Sequence, residues 1–264
     1  MKVENKERKI IISAAHLRVV VDGNQGGNIS LASFLPLDLP VLTTNYHSTD
    51  VYVGIEGIGG FYTTGDAEAK INVMQSNESQ VVIEADSVLA SCPSNPPDPQ
   101  CAGRVVRRYA IWDDLPVIRI DTEIEINPNF VGQSWCSRDA RLVDLEANYD
   151  ELDRFAYTSR KGELIRGELS AAHNGGTWAL GDPCYSLFGD RVGLTVRLDD
   201  AKKYCYYWAE NALINMGDLN IRGVSFLAQW GYGQKSVGRN DMPLIGTFWI
   251  GFHRGQGPLD FDWR

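Results

Sequence analysis

The most constraining feature of the chain is a run of strictly alternating side chains between residues 118 and 126. Isoleucine or threonine occupies every even position of this run, and arginine, aspartate or glutamate occupies every odd position. A repeat of two residues places all the apolar side chains on one side of an extended strand, whereas helical neighbours recur every 3.6 residues. The run therefore predicts a strand with one buried face and one wet face, in an antiparallel sheet that packs on one side only.

The alternating run is the second half of a long predicted hairpin. Residues 104–112 also read as a strand, and Asp113-Asp114-Leu115-Pro116 joins the two. Arginines and aromatic residues lie on both faces of this first strand, which indicates that its outward face does more than contact solvent. Strand signals continue along the chain, on the order of a dozen or more. Residues 36–50 predict a loop, and residues 128–155 are less regular. Within the latter, residues 142–155 predict either a short helix or, around residue 149, a turn.

Length and composition fit one large β domain. The chain has 264 residues, of which 44% are hydrophobic, and no linker or low-complexity segment interrupts it. We therefore predict a single domain over residues 1–264. The expected fold is all-β, a large antiparallel β-sandwich with a few short helices that make up well under a fifth of the residues.

Composition also argues against several kinds of partner. The net charge of −9 argues against nucleic acid, whose phosphates require a basic surface. No stretch approaches the roughly 20 apolar residues of a membrane helix. Metal-ligand motifs, phosphate-binding glycine loops and the Gly-x-Ser-x-Gly motif do not occur in the sequence. We expect no metal and no cofactor.

One pair of the five cysteines stands out. Cys92 and Cys101 bracket PSNPPDPQ, a proline-rich loop between two strand-like segments. A disulfide that closes this loop would imply an oxidising compartment and would favour a secreted or periplasmic protein. The alternative is a pair of free thiols in a reducing cytosol.

Several segments together resemble a known superfamily. Residues 16–31, HLRVVVDGNQGGNISL, form an apolar strand, a glycine-bearing turn and a return strand, and residues 109–125 form the central hairpin. Both are similar to hairpins of the galactose-mutarotase-like "supersandwich" domains. Residues 155–168 and 188–198, with the ending GTFWIGFHRG, resemble β domains of glycoside hydrolases and polysaccharide lyases. The resemblance covers most of the chain and implies a supersandwich fold, although one fold hosts many functions.

The resemblance implies a carbohydrate ligand. Relatives include sugar epimerases (mutarotases), polysaccharide lyases that cleave uronate-containing chains, and non-catalytic domains of glycosidases involved in glycan degradation. A mutarotase typically uses histidines and a late glutamate. His173 lies in the right part of the chain for one histidine, but no glutamate follows Glu210.

A lyase would need a base and groups that neutralise a substrate carboxylate, and histidine, tyrosine and arginine suit these roles. The candidate catalytic residues are His173, His253 and Tyr207. The candidate carboxylate-binding residues are Arg160 and Arg254.

Sugar binding alone requires exposed aromatic rings and planar polar side chains. Trp178 is the best candidate, because it follows Asn174 and two glycines in a polar loop. Asn174 itself and Trp208 are further candidates, whereas Trp112, Trp135 and Trp249 are expected to be buried. We predict that the loop 173–178 lies at the rim of a groove with His253 and Arg254 nearby. The alternative is a structural or partner-binding β domain without a sugar site.

Overall fold

The structure, a computed structural model, describes much of the chain. The described residues are 1–43, 49–55, 59–91, 101–129, 140–148, 151–158, 161–168, 177–179, 184–199, 206–216, 219–230, 242–255 and 263. For residues 43, 55, 59, 91, 140–148, 177–179, 206–216 and 219–230 only the backbone is described. Statements about absent features below refer to these residues.

One large antiparallel sheet, the front sheet, contains the predicted hairpin. Its strands, in the order in which they pair, are β8 (Lys70–Ser76), β9 (Gln80–Ser91), β10 (Cys101–Trp112), β11 (Val117–Ile126), β20 (Leu244–Arg254), β17 (Val192–Leu198), β16 (Cys184–Phe188), β13 (Arg154–Thr158) and β14 (Leu164–Glu168). The hairpin pairs β10 with β11 over its whole length, from Gly103 opposite Ile126 to Ile111 opposite Ile118. Strand β20 then pairs with β11 on one side and β17 on the other.

A second antiparallel sheet, the back sheet, packs against the front sheet. Its strands, in pairing order, are β1 (Lys2–Lys6), β2 (Lys9–Ser13), β3 (Leu17–Asp22), β4 (Asn28–Phe34), β5 (Leu39–Thr43), β12 (Ala140–Asn148), β19 (Leu219–Trp230), β18 (Tyr206–Met216) and β15 (Thr177–Ala179). The ribbon of β6 (Asp50–Ile55) and β7 (Gly59–Tyr62) pairs with β12 and with β9 and so connects the two sheets at one corner.

The core lies between the two sheets, and the alternation in β11 determines which side chains enter it. Ile118, Ile120, Ile124 and Ile126 are buried, together with isoleucines and valines of β2 and β3 from the back sheet. The odd-numbered residues of β11 lie on the opposite face of the front sheet, which we call the outer face. Burial of each aliphatic side chain contributes about 1.5–3 kcal/mol. The predicted all-β sandwich is confirmed.

Helical structure is confined to single turns in the described part of the chain. They are the 3₁₀ helices Gly23–Gln25, Leu35–Leu37 and Thr63–Gly65. Among the described residues no helix has the length and apolar character needed to cross a membrane.

The short helix predicted within residues 142–155 is wrong for residues 142–148. Residues 140–148 form β12, which pairs with β19 from Ala140 opposite Trp230 to Asn148 opposite Gly223. The segment contains residues that suit either a helix or a strand. Pairing with β19 on one side and with β5 and β6 on the other stabilises the strand. The turn that was predicted near residue 150 falls partly outside the described residues.

A buried arginine holds the core side of the hairpin in place. Arg107 is fully buried in β10, and its guanidinium donates hydrogen bonds to the side chain of Asn28, to the Gly26 carbonyl and, at 2.7 Å, to the Thr49 carbonyl. Buried charges are tolerated only when their hydrogen-bonding groups find partners. The network therefore ties β10 of the front sheet to the turn before β4 and to the start of β6.

The predicted disulfide is not formed in this structure. Cys101 has a free, exposed thiol, whose Sγ lies 3.2 Å from the Gly103 carbonyl oxygen at the bulge that opens β10. Cys92 lies outside the described residues. Formation of the disulfide under oxidising conditions stays a prediction.

Candidate functional site

The outer face of the front sheet carries a compact group of indole rings and charged side chains around Trp249. Trp249 lies on β20, directly opposite Arg119 of β11 on one side and Arg197 of β17 on the other. Since directly opposed residues share a face of the sheet, the three side chains form one row. We call the group the Trp249 cluster. It comprises Trp112, Arg119, Asp121, Arg197, Asp199, Thr247, Trp249 and Trp263.

A second row lies beside the first. It has Thr247 of β20 in the centre and one aspartate on each side. Asp121 is directly opposite Thr247, and on the other side the backbone N–H of Asp199 donates to the Thr247 carbonyl at 3.1 Å. Asp121 follows Arg119 by two positions within β11, so the two side chains share a face. Asp199 follows Arg197 by two positions directly after β17, and its contacts with Arg197 and Trp249 place it on the same side. The central strand thus carries a ring and a hydroxyl between two Arg–Asp pairs.

The two Arg–Asp pairs balance their charges within the cluster. The Nε of Arg119 donates to Asp121 Oδ1 at 2.9 Å, and the Thr247 hydroxyl donates to the same oxygen at 2.7 Å. Arg197 Nη2 lies 3.3 Å from Asp199 Oδ1 as an ion pair without hydrogen-bond geometry. The four charged side chains are between 33% and 40% exposed, so a bound molecule can reach them.

The indole rings pack around Trp249, which is only 3% exposed. Trp112 stacks on it with ring centroids 5.9 Å apart, and Trp263 meets it edge to face at 6.0 Å. The Arg119 guanidinium lies over the same ring at 5.3 Å, and the Trp249 Nε1–H donates to Asp199 Oδ2 at 3.0 Å. Trp249 is buried as predicted, whereas Trp112 and Trp263 are half-buried and keep part of their surface open to solvent.

The arrangement suits a ligand with a flat apolar face and a polar edge. The half-buried rings offer apolar surface, and the neighbouring carboxylates, guanidinium groups and hydroxyl offer acceptors and donors. Such surfaces, with a few fixed polar groups, are typical of sites that bind small organic molecules. Within the described part of the chain, no group of three or more His, Cys, Asp and Glu side chains could hold a metal ion.

His253 lies on the same face of β20 as Trp249, four residues further along the strand, but it is buried. Its ring is 4% exposed, and its Nε2 lies 3.0 Å from the Thr195 hydroxyl, which in turn lies 2.7 Å from the Ser186 hydroxyl. Burial lowers the pKa of His253 to about 4, because the charged imidazolium would lose its hydration. The ring is therefore neutral at pH 7 and already hydrogen-bonded. Its predicted catalytic role stays a prediction.

We expect the stability of the protein to fall as the pH is lowered from 6.5 towards 4. In this range the unfolded chain protonates His253 at its ordinary pKa of 6.5, while the folded protein keeps the ring neutral. The unfolded state then binds more protons, so acid favours unfolding. A shift of this size corresponds to about 3 kcal/mol when fully expressed. Denaturant titrations at pH 7 and pH 5 measure the effect.

The matched variant for this prediction is His253→Gln, which keeps a polar side chain and removes the titration. Its unfolding free energy should change less between pH 7 and pH 5 than that of the wild-type protein. Equal pH dependence in the two proteins would contradict the prediction.

The structure does not bring His253 and Arg254 together. Consecutive residues of a strand point to opposite faces, so the two side chains leave β20 in opposite directions. Arg254 is exposed, and its guanidinium donates to the Pro36 carbonyl at 2.9 Å, at the edge of the core side. The two side chains therefore lie on opposite faces of the front sheet, and the groove predicted beside the loop 173–178 stays a prediction.

Two other predicted residues do meet in the back sheet. The edge strand β15 pairs with β18 so that Trp178 is directly opposite Trp208 and Ala179 is opposite Tyr207. The two tryptophans, both predicted to bind sugar, thus occupy facing positions of one strand pair, and Tyr207 is one position along. Only the backbone is described here. His173, Asn174 and Arg160, like Trp135, lie outside the described residues.

The sequence-based analysis missed the charged members of the Trp249 cluster. A signal was present, since Arg119-Ile120-Asp121 and Arg197-Leu198-Asp199 are the same Arg-x-Asp pattern in two predicted strands. In a strand this spacing puts the arginine and the aspartate on one face. Nothing in the local sequence places the two patterns on either side of β20.

Sequence comparison finds no relatives, but comparison of structures does. No protein-family model matches the chain, and no curated protein matches it in sequence. The solved structures that match show that the chain has the fold of the galactose mutarotase-like proteins. A galactose mutarotase-like protein from Clostridium acetobutylicum matches with a TM-score of 0.54 and 10% identity, over 96% of this chain and 98% of that chain.

Two further structures extend the comparison. A putative aldose 1-epimerase from Escherichia coli matches with a TM-score of 0.51 and 8% identity, over 92% of this chain and 98% of that chain. An alpha-mannosidase from Enterococcus faecalis matches with a TM-score of 0.61 and 9% identity, over 93% of this chain but only 29% of that chain. The chain thus spans nearly all of the mutarotase-like proteins and less than a third of the mannosidase. At these identities the likeness shows the fold alone.

Proposed function

We propose that the chain is a carbohydrate-binding β domain that works in glycan processing and that the Trp249 cluster holds the ligand. The observation that carries the proposal is the combination of half-buried indole rings with two Arg–Asp pairs and a hydroxyl on one accessible sheet face. The likeness to structures titled galactose mutarotase-like, aldose 1-epimerase and alpha-mannosidase supports it. A structural β domain would not require an indole cluster beside balanced charges on its outer face.

The chemistry of sugars matches the cluster group by group. The apolar C–H face of a pyranose ring stacks on aromatic rings, and here Trp112 supplies a half-buried one on the outer face. Sugar hydroxyls bind best to charged acceptors and donors, because such hydrogen bonds are stronger than neutral ones. Asp121 and Arg119 provide one of each, and Thr247 holds the carboxylate in position at 2.7 Å.

The finer parts of the proposal concern the ligand and the chemistry. We propose that residues 1–264 act as one domain and that the ligand is part of a glycan, with uronate-containing polysaccharides as the acidic candidates. Turnover would depend on His173, His253 or Tyr207, with Arg160, Arg254 and Asn174 as substrate contacts. The proposal rests on ligand binding and not on catalysis. His253, the one histidine among these candidates that the structure describes, is buried and already hydrogen-bonded.

We expect Asp121→Asn and Trp112→Ala to weaken glycan binding. The first variant keeps the shape of the side chain but removes the charged acceptor, which corresponds to a loss of roughly 10-fold or more in affinity. The second removes the half-buried ring that stacks on Trp249. Titration calorimetry against neutral and uronate oligosaccharides measures both, and the two ligand sets separate the neutral from the acidic candidates.

The matched control is Arg104→Met, which removes a guanidinium from the same outer face outside the cluster. Arg104 pairs with Asp86 and is 56% exposed. Its substitution should leave the affinity unchanged. If Trp178→Ala and Trp208→Ala abolish binding while Asp121→Asn and Trp112→Ala do not, the ligand site belongs to β15 and β18. If no oligosaccharide of either kind binds the wild-type protein, the proposed function is wrong.

A further inference from the structure

The second row of the Trp249 cluster continues beyond the cluster on the outer face of the front sheet. Arg108 of β10 lies directly opposite Asp121, and Glu84 of β9 lies directly opposite Arg108. Since directly opposed residues share a face of the sheet, these two side chains extend the row by two strands. The extended row alternates carboxylates with a guanidinium and a hydroxyl, in the order Glu84, Arg108, Asp121, Thr247 and Asp199.

The Arg108–Glu84 pair is open to solvent and keeps hydrogen-bonding groups that the protein does not use. The side chain of Arg108 is 51% exposed and that of Glu84 is 23% exposed. Arg108 Nε and Nη2 lie 2.9 Å and 2.8 Å from the same carboxylate oxygen, Glu84 Oε2. Within the described part of the chain, Arg108 Nη1 and Glu84 Oε1 make no hydrogen bond to the protein. The pair can therefore still donate to a ligand and accept from it.

Apolar side chains lie on both sides of this ion pair. Val82 precedes Glu84 by two positions in β9, and Val106 precedes Arg108 by two positions in β10. Both valines therefore share the outer face with the pair, and both are half-buried. The pair thus offers a pyranose ring the two kinds of contact that the cluster offers, namely apolar surface and charged hydrogen-bonding groups.

We infer that the Arg108–Glu84 pair is a second subsite and that the ligand is a glycan chain of at least two linked sugar rings. The inference rests on the proposed function, because it places one ring of the chain on the Trp249 cluster. Glu84 and Asp121 lie two strands apart, which corresponds to roughly 10 Å along the sheet. A single sugar ring is only about as wide as the separation of neighbouring strands, so a chain is needed to cover the row.

The alternation of groups in the row suits a chain of hydroxyls. A sugar hydroxyl can donate one hydrogen bond and accept others, so successive hydroxyls can use carboxylates and donors in turn. Hydrogen bonds to the charged groups are also stronger than neutral ones. Each ring that reaches the second subsite should therefore add measurably to the affinity.

The first experiment measures affinity against chain length by titration calorimetry. The probes are mannose, galactose and galacturonic acid, each as the monosaccharide, the disaccharide and the trisaccharide. In a series that binds, the affinity should rise by roughly 10-fold or more from the monosaccharide to the trisaccharide, because the added rings gain charged hydrogen bonds. Equal affinity along the series overturns the inference and leaves the proposed function in place. Binding of no member of any series rejects both.

The second experiment asks whether the gain comes from the Arg108–Glu84 pair. Arg108→Met should remove the gain with chain length and leave the affinity for the monosaccharide unchanged. Glu84→Gln keeps the shape of its side chain and should reduce the gain in part, which guards against a folding defect in the methionine variant.

The matched control is Arg104→Met. Arg104 lies in the same strand and on the same face, and it is similarly exposed and paired with Asp86, but it lies outside the row. The control variant should keep the full gain with chain length. A gain that survives Arg108→Met, or one that Arg104→Met removes to the same extent, overturns the second subsite.

Discussion

Arg107→Met should destabilise the protein by about 3–5 kcal/mol, because it removes a buried cation and keeps its hydrogen-bond acceptors buried. The Asn28 side chain and the carbonyls of Gly26 and Thr49 would all lose a charged donor. The nearby carboxylate of Asp50 would lose a compensating charge. It is fully buried, and the Thr63 hydroxyl lies within hydrogen-bond distance of both Asp50 and Asn28. Chemical denaturation of the two proteins measures the difference in unfolding free energy.

The matched control is the same substitution at Arg104, in the same strand and on the opposite face. The Arg104 guanidinium is 56% exposed and pairs with Asp86 at 2.8 Å. An exposed ion pair contributes at most about 1 kcal/mol, so Arg104→Met should lie close to the wild-type protein. If the two methionine variants lose the same stability, the buried network does not hold the sheets together.

Gly26→Ala should also cost several kcal/mol, and for two separable reasons. Gly26 has a φ of +67°, a left-handed conformation that costs an L-residue about 1–2 kcal/mol. A Cβ atom at this position would also lie 1.8 Å from the Thr63 carbonyl oxygen, so the backbone must move. The movement would disturb the carbonyl that accepts from Arg107, and we therefore expect a total loss above about 3 kcal/mol.

The variant Gly162→Ala separates the cost of the left-handed backbone conformation from the cost of the steric clash. Gly162 has a φ of +80°, but in the described part of the chain no atom other than those of Gly162 and its two chain neighbours lies within 4 Å of a Cβ at that position. Its substitution should show the conformational cost alone, about 1–2 kcal/mol. Equal losses in Gly26→Ala and Gly162→Ala, measured by the same denaturant titration, would mean that the turn before β4 adjusts to the added methyl group.

The position of the Trp249 cluster follows from the way in which the sandwich divides its faces. In the described part of the chain the core side of the front sheet is filled by apolar side chains and by the Arg107 network, whereas the outer face presents the charged side chains of the cluster. Strand β20 carries both kinds of residue, with Phe248 and Ile250 in the core and Thr247 and Trp249 outside. A rigid central strand thus positions the cluster, which favours a site of fixed geometry.

Local sequence determined the strands and the faces of their residues. The alternation in residues 118–126 predicted a strand whose isoleucines are buried, and the structure confirms it, because a period of two admits one assignment of faces. The same period of two puts Arg107 on one face of β10 with Tyr109 and Ile111. The sequence could not show that this face is the core, because the buried charge of Arg107 is tolerated through hydrogen bonds to distant residues, among them Asn28 and Thr49.

Tertiary structure alone decided which distant strands became neighbours. Asp121, Asp199 and Thr247 lie on β11, just after β17 and on β20, and they share a row only because β20 inserts between the other two strands. Pairing of this kind depends on long-range burial and on the register of whole strands, which no local pattern contains. The same holds for Trp178 and Trp208, whose facing positions arise from the pairing of β15 with β18. The Arg-x-Asp patterns therefore specified the two halves of the cluster, and the order of strands in the sheet brought them to one place.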